Sequence, residues 1–316
     1  VTYLISNLSL NNNSVQPLKQ FNKLWAVQKY NNITKVVSNS CLHRGAIIVD
    51  EPQPFHGNLV CPLHRWTYDQ HGVLLGSPFD TEGCLPTITT HEWNNFLFTK
   101  PMDINFPKHL VSHFDTSNYV HTKTEIMKLN FSWEVFIEVY LDLYHVKPFH
   151  PGLGNFVDMN HYKLHFGDNW SIQEVKYNKS SNNPNPHFNE LQKMIRSNYS
   201  HVEYGALWAT IYPNMTLEWY PNMIVMSTVW PDTDKTCFNL IEYHHIDSVS
   251  AFDQDFVETQ LAAYHSTALE DVEIGERIQH GRKLSYDNYP YHPQLELGIA
   301  KFYEHIDKFS DYFVVK

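Results

Sequence analysis

Two short segments each carry one cysteine and one histidine: Cys41-x-His43 in CLHRGA (41–46) and Cys61-x-x-His64 in CPLHRW (61–66). Each pair closes a small ring at little entropic cost, and one longer loop joins the pairs, which suits a compact metal site. Sulfur and imidazole together select zinc or iron–sulfur chemistry. Zinc sites more often show Cys-x-x-Cys paired with His-x-x-x-His, so a structural zinc ribbon is the plainer alternative. With one thiolate and one imidazole on each loop, each loop can serve each of two irons. That is the mixed-ligand [2Fe–2S] pattern, with two thiolates on one iron and two imidazoles on the other.

A second constellation lies in EVYLDLYHVKPFH (138–150), which holds Asp142, His145 and His150. Asp142 and His145 are three apart and share a face of a helix. On an unbroken helix His150 would lie roughly 140° further round than His145. Pro148 cannot continue the ladder and pushes Lys147 out of the helical region, so the chain is free to bring His150 back toward His145. Two converging imidazoles make half of an iron site, and one carboxylate completes a triad with open positions for O2. For a single histidine, an amphipathic helix end with surface imidazoles would be the better reading.

The carboxylate candidates are Glu270, Asp271, Glu273 and Glu276 in LEDVEIGERIQ. Leu261, Tyr264, Ala268, Asp271, Gly275 and Ile278 recur in steps of three and four and form one stripe roughly 80° wide. Asp271 lies within about 30° of its centre, whereas Glu270 is roughly 130° away. An acid in an apolar stripe is costly unless it is paired or binds metal. Asp271 is therefore the expected third ligand, with Glu270 as the alternative.

The elements that must hold these residues fall in two halves. Up to about residue 100, short β-branched runs alternate with turn residues, as at Leu24–Val27, Thr34–Val37, Ala46–Val49, Asn58–Val60 and Trp93–Thr99. That is an all-β unit. A boundary is expected within about 101–125, giving domains 1–110 and 111–316. In the second, Trp133–Tyr144 has helical spacing. Strand-like runs follow at His161–Phe166, Trp170–Tyr177, Ala206–Tyr212, Met215–Tyr220, Met223–Trp230 and Cys237–His244, then a long helical stretch over Phe252–Gln279. The fold class is α+β, with an antiparallel sheet and helices in the second domain. Asn182–Pro186 reads as a loop.

Composition excludes several classes. The chain has 316 residues, and 23 basic against 34 acidic side chains give a net charge of −11. Such a chain is a poor partner for nucleic acid or an anionic membrane. No run of about 18 apolar residues suggests a membrane span. Four cysteines are too few for a disulfide scaffold, and no secretory segment stands near Val1, so the reducing cytoplasm is the expected compartment. The chain begins at Val1 rather than Met, so a few N-terminal residues are expected to be missing.

With its motifs in this order, the chain resembles the Rieske non-haem iron oxygenases, the aromatic-ring-hydroxylating α-subunit family. Their cluster loops commonly read CPHRG and CPYHGW, and Trp66, Tyr68, Gly72, Leu75 and Gly76 continue that pattern. Leu42, Leu63 and Arg65 depart from it without removing a ligand. Neither loop carries the extra cysteine of respiratory-chain Rieske proteins. The family's D-x-Y-H-x-x-x-x-H segment matches at Asp142, His145 and His150. The resemblance implies that Cys41, His43, Cys61 and His64 hold the cluster. It implies that His145, His150 and Asp271 bind Fe(II), and that Asp142 bridges to the cluster of a neighbouring subunit. Glu138 stands where the family often has Asn.

An N-terminal Rieske domain, a C-terminal helix-grip catalytic domain and a homotrimer are implied, with electrons from a ferredoxin or an NAD(P)H-dependent reductase. No flavin or nicotinamide fingerprint is seen in the chain itself. Trp208, Trp219, Tyr220, Trp230 and Tyr243 fall in the sheet that forms the family's substrate pocket, though core packing explains any one of them as well. Cys84 and Cys237 read as plain small apolar residues. Arg44 and Arg65 either dock an acidic ferredoxin or raise the cluster potential. The expected reaction is hydroxylation or oxidative demethylation of a small organic substrate. A non-catalytic electron carrier and a zinc-binding structural module are the alternatives. Aromatic acids, quaternary amines and polycyclic molecules all remain open as substrates, and the acidic charge tilts slightly toward a neutral or cationic one.

Overall fold

Paired asparagines shape the first unit. Asn31-Asn32 and Asn94-Asn95 all take positive φ, the conformation a tight hairpin demands and asparagine tolerates. They close the hairpins Trp25–Tyr30/Ile33–Ser38 and His91–Trp93/Phe96–Phe98. The computed structural model describes residues 1–78, 80–179, 182–198, 201–284 and 290–306. The chain divides into two compact units, Val1–Asp103 and Ile104–Lys316. The first holds a five-stranded sheet and two three-stranded sheets. One of the latter, Asn58–Val60, Thr67–Asp69 and Leu74–Gly76, frames the second cluster loop.

Ala46–Val49 is buried in part but is no strand. The Asn39 side chain substitutes for one: its amide donates to the Val49 carbonyl at 2.7 Å, and its oxygen accepts from the Val49 N–H at 2.8 Å. The apolar run is therefore satisfied without a ladder.

In the second unit seven antiparallel strands form one sheet. Its order is Tyr119–Leu129, Cys237–Ile246, Met223–Pro231, Met215–Tyr220, Tyr204–Ile211, Trp170–Tyr177 and Val157–Phe166. The edge strand Tyr119–Leu129 falls largely in the stretch read as a boundary. Helices Trp133–Leu141, Pro186–Asn198 and Gln254–Gly281 accompany the sheet. The helix Pro186–Asn198 was not expected. Its signals are the Asn185 side chain, which accepts from the His187 and Phe188 N–H groups, and a proline at the first helical position. Phe188, Leu191 and Ile195 then form its buried face.

The long helix turns the stripe Gln260, Ala263, Tyr264, Thr267, Ala268, Asp271 and Val272 onto a cavity. One turn on, Gly275 lets the helix approach Phe131 closely, since a Cβ there would sit 2.6 Å from the Phe131 ring. The first helix is held against these elements by Glu138. The buried carboxylate receives both Nη groups of Arg282 and the Tyr303 hydroxyl. Glu138→Ala should cost about 3 kcal/mol, the low end for a broken buried pair because Arg282 keeps some access to water. Denaturant unfolding of the variant checks this; an unchanged midpoint would contradict it.

Candidate functional site

In the first unit the two Cys/His loops share one backbone geometry. The Cys41 N–H donates to the Ala46 carbonyl and the Gly45 N–H to the Cys41 carbonyl, at 2.9 and 2.8 Å. The Cys61 N–H donates to Trp66 and the Arg65 N–H to Cys61, at 2.9 and 3.1 Å. Gly45 and Arg65 occupy equivalent positions, and both take positive φ. Arginine bears about 1 kcal/mol of strain there. Cys41 and Cys61 are buried, while His43 is half-buried and His64 exposed. The two imidazoles meet at 4.6 Å between centroids, and His43 stacks on Trp66 at 5.0 Å. Buried sulfurs beside outward imidazoles fit a cluster with one thiolate-held iron inside and one imidazole-held iron outside. Beneath them, the Tyr68 hydroxyl accepts from the Leu42 N–H at 3.0 Å and lies 3.1 Å from Cys41 Sγ. A cluster-bound thiolate at Cys41 has no proton to give, so the hydroxyl would then donate to the sulfur.

The second constellation sits where the first helix stops. That helix ends at Leu141, with Asp142 in extended backbone as its C-cap. Asp142 Oδ1 accepts from the Tyr144 and His145 N–H groups at 2.6 and 3.3 Å, which turns the chain. The break therefore comes six residues before Pro148. The proline instead lies inside a separate one-turn helix, Val146–Phe149, too short to need its missing N–H. His150 is brought back to His145 as expected, with Nε2 atoms 2.9 Å apart. Asp271 Oδ1 lies 3.0 Å from His150 Nε2 and 3.4 Å from His145 Nε2. The Asp271 carboxylate is 37% exposed, and it lines the cavity.

The far side of each imidazole explains why these atoms suit a cation. Glu270 Oε2 lies 2.7 Å from His150 Nδ1, and Asp142 Oδ2 lies 3.1 Å from His145 Nδ1. Glu270, within hydrogen-bond distance of His150 Nδ1, holds the proton there and leaves the His150 Nε2 as a lone pair, and the Asp142 charge beside His145 Nδ1 favours the same tautomer. Two such Nε2 atoms beside a carboxylate would offer three donor atoms to one cation. Burial pulls the His145 pKa down, but Asp142 and Asp271 more than offset this and raise it to about 9. The negative surroundings that favour the imidazolium also favour a divalent ion. Glu270 thus contacts His150 from outside the converging trio. Its position off the helix stripe had left only a choice between ligand and bystander.

The cavity beside this trio has a volume of about 120 Å3. It is smaller than the roughly 300–1,000 Å3 of drug-sized pockets and suits a small substrate. Met127, Phe131, Val139, Leu153 and Phe156 give it mainly apolar walls. Of the five aromatic residues singled out in the sheet, Trp208 and Tyr220 line it. Glu218, from the same strand as Tyr220, also lines it and was missed in the sequence. It is 4% exposed, and burial pushes its pKa up to about 7 against hydrogen bonds from Tyr220 and Tyr264. Cys237 is fully buried in an apolar cluster, but Cys84 is exposed, so the apolar-packing reading holds for Cys237 alone. Among the described residues no helix is long and apolar enough to cross a membrane.

Residues 2–90 match the Rieske [2Fe-2S] domain, and residues 114–311 match the ring hydroxylating alpha subunit (catalytic domain). The chain is 35% identical to a putrescine 2-hydroxylase of Bordetella bronchiseptica, over 85% of this chain and 69% of that protein. It is 36% identical to a putrescine 2-hydroxylase of Ralstonia nicotianae, over 89% of this chain and 80% of that one. The crystal structure of the quaternary ammonium Rieske monooxygenase CntA superposes with a TM-score of 0.75, over 98% of this chain and 88% of that one. At 16% identity it shares the fold.

Proposed function

This chain belongs to the Rieske-type ring-hydroxylating oxygenases, and on that premise we propose that it hydroxylates a small aliphatic amine. The family activity itself needs no proposal. The chain is a terminal oxygenase that uses O2 and externally supplied electrons to hydroxylate or oxidatively demethylate a small organic substrate. Its cofactors are a [2Fe–2S] cluster and a mononuclear Fe(II). A reductase or ferredoxin supplies the electrons. The presence of the catalytic unit disposes of the carrier and zinc-module alternatives.

In our reading Cys41, Cys61, His43 and His64 hold the cluster, and His145, His150 and Asp271 hold the iron. When bound, the cluster supplies single electrons and the iron supplies open positions at which O2 is reduced. Asp142 and Glu270 fix the tautomers of His145 and His150, so that both rings present unprotonated Nε2 atoms. The apolar cavity walls keep water from the reacting carbon. Asp142 also faces the cluster of a neighbouring subunit in a homotrimer, and the assembly works in the cytoplasm, where NAD(P)H is available. Inter-subunit electron transfer is described for the CntA structure, which supports that arrangement for this fold.

One observation carries the reading: His145 Nε2, His150 Nε2 and Asp271 Oδ1 converge at the wall of a small, largely apolar cavity. The substrate class draws on the two putrescine 2-hydroxylases. The test is the oxygenase reconstituted with a reductase and supplied with 1,4-diaminobutane, with 18O2 incorporation followed by mass spectrometry. A singly labelled hydroxylated diamine is expected. Labelled product from a quaternary ammonium compound alone would overturn the substrate class.

Tyr68 offers a check on the cluster. Its hydroxyl proton, directed at Cys41 Sγ, favours the more negative reduced state. Tyr68→Phe should lower the midpoint potential by about 60 mV, the equivalent of one hydrogen bond of about 1.4 kcal/mol in a one-electron couple. Spectroscopic redox titration measures this, and an unchanged potential would remove Tyr68 from the cluster's surroundings.

A further inference from the structure

Glu218 lies on the strand Met215–Tyr220, the central strand of the seven. Across the sheet it pairs with Trp208 on one side and Val225 on the other. Tyr220 donates its hydroxyl to Oε2 at 2.6 Å, and Tyr264, from the long helix, donates to Oε1 at 2.9 Å. Trp208 Nε1 donates in turn to the Tyr220 oxygen at 2.9 Å. Each carboxylate oxygen thus has one donor and keeps further acceptor capacity.

Two other deeply buried acids point at fixed cations or imidazoles, Glu138 at Arg282 and Glu174 at His165. Among the described residues no cation or imidazole pairs with Glu218. It lines the cavity that also exposes Asp271, His145 and His150. A buried carboxylate without a counter-charge is costly even when hydrogen-bonded, and an apolar residue would pack this sheet position without that cost.

We infer that Glu218, with the hydroxyls of Tyr220 and Tyr264, forms an ammonium subsite that takes the primary ammonium end of an aliphatic amine and disfavours a quaternary one. This rests on the amine-hydroxylase reading above and adds the group that enforces it. A primary ammonium brings N–H donors that match the free acceptor positions on Glu218. Beside them, Trp208 and Tyr220 offer aromatic faces to the same charge. A quaternary ammonium has no N–H to give, and its methyl groups hold the charge away from the carboxylate. Cation–π contacts alone would serve it equally well without Glu218.

The test is calorimetric titration of the iron-loaded oxygenase with 1,4-diaminobutane, 1-butanol and tetramethylammonium. Wild type should bind the diamine in preference to the other two. Glu218→Gln keeps the volume and removes the charge, so it should weaken the diamine about 100-fold. Its cluster spectrum, iron content and affinity for 1-butanol should stay unchanged. Equal diamine affinity in wild type and variant would overturn the subsite and leave the amine reading standing. A wild type that prefers tetramethylammonium would overturn both. Should Glu218→Gln disturb the cluster or the iron, Glu218→Asp carries the test. With the charge retained, diamine affinity should stay within about tenfold of wild type, and a loss as deep as that of the glutamine variant would overturn the subsite.

Discussion

Replacing Asp271 with alanine should leave a red-brown protein that makes no product. Wild type is expected to carry about three irons per chain, two in the cluster and one at the mononuclear site. The variant should carry two, with the cluster spectrum unchanged. Among the described residues, Asp271 Oδ1 is the one carboxylate oxygen that approaches both imidazole Nε2 atoms. Its loss removes both a ligand and the negative charge that offsets the ion. The Lewis-acid contribution lost with the metal is several kcal/mol, so turnover should fall about 1,000-fold or more.

Glu270→Gln is the companion measurement. Glu270 meets His150 at Nδ1, the ring nitrogen that faces away from the trio, so its loss should weaken iron binding by only about 10- to 100-fold. Iron analysis of the two variants separates ligand from orienting group. A Glu270→Gln protein devoid of the third iron, beside an Asp271→Ala protein that retains it, would exchange their roles.

What the sequence disclosed follows the range of the interactions. Cys41, His43, Cys61 and His64 lie in two six-residue loops, and His145 and His150 lie five residues apart, so local spacing alone brings them together. Asp271 is 121 residues from His150 but lies on a single periodic helix whose apolar stripe marks the face. Glu218 has no such signal. Its meaning depends on register with the Trp208 strand and on a tyrosine 46 residues away, neither of which a lone acid in MTLEWY announces. The contact of Glu270 with His150 Nδ1 is hidden for a related reason. A helical angle locates a side chain's base, whereas a glutamate reaches past its own stripe to His150. Likewise Pro148 was a fair sign that the helix must break, but Asp142 had already broken it by accepting backbone N–H groups of Tyr144 and His145. Side-chain capping of that kind outranks the proline because it acts first along the chain.

Asp142 therefore has two duties that one substitution can separate. Its Oδ1 shapes the turn, and its Oδ2 faces His145 Nδ1. Asparagine keeps an oxygen to accept the Tyr144 and His145 N–H groups, so Asp142→Asn should fold and retain all three irons. It cannot keep the negative charge. The charge contributes to the raised His145 pKa. In the proposed trimer it would also join the imidazole to the electron donor. Product formation should fall about 100-fold, the usual cost of losing such an orienting carboxylate. The decisive readout is not turnover alone. On the proposed bridging role, mixing the reduced variant with O2 and substrate should show a cluster that reoxidises far more slowly than in wild type. Wild-type reoxidation with lost product would instead confine Asp142 to ordering His145. Asp142→Ala distinguishes the turn from the charge, since it should lose iron as well, the histidine having lost the backbone geometry that presents it.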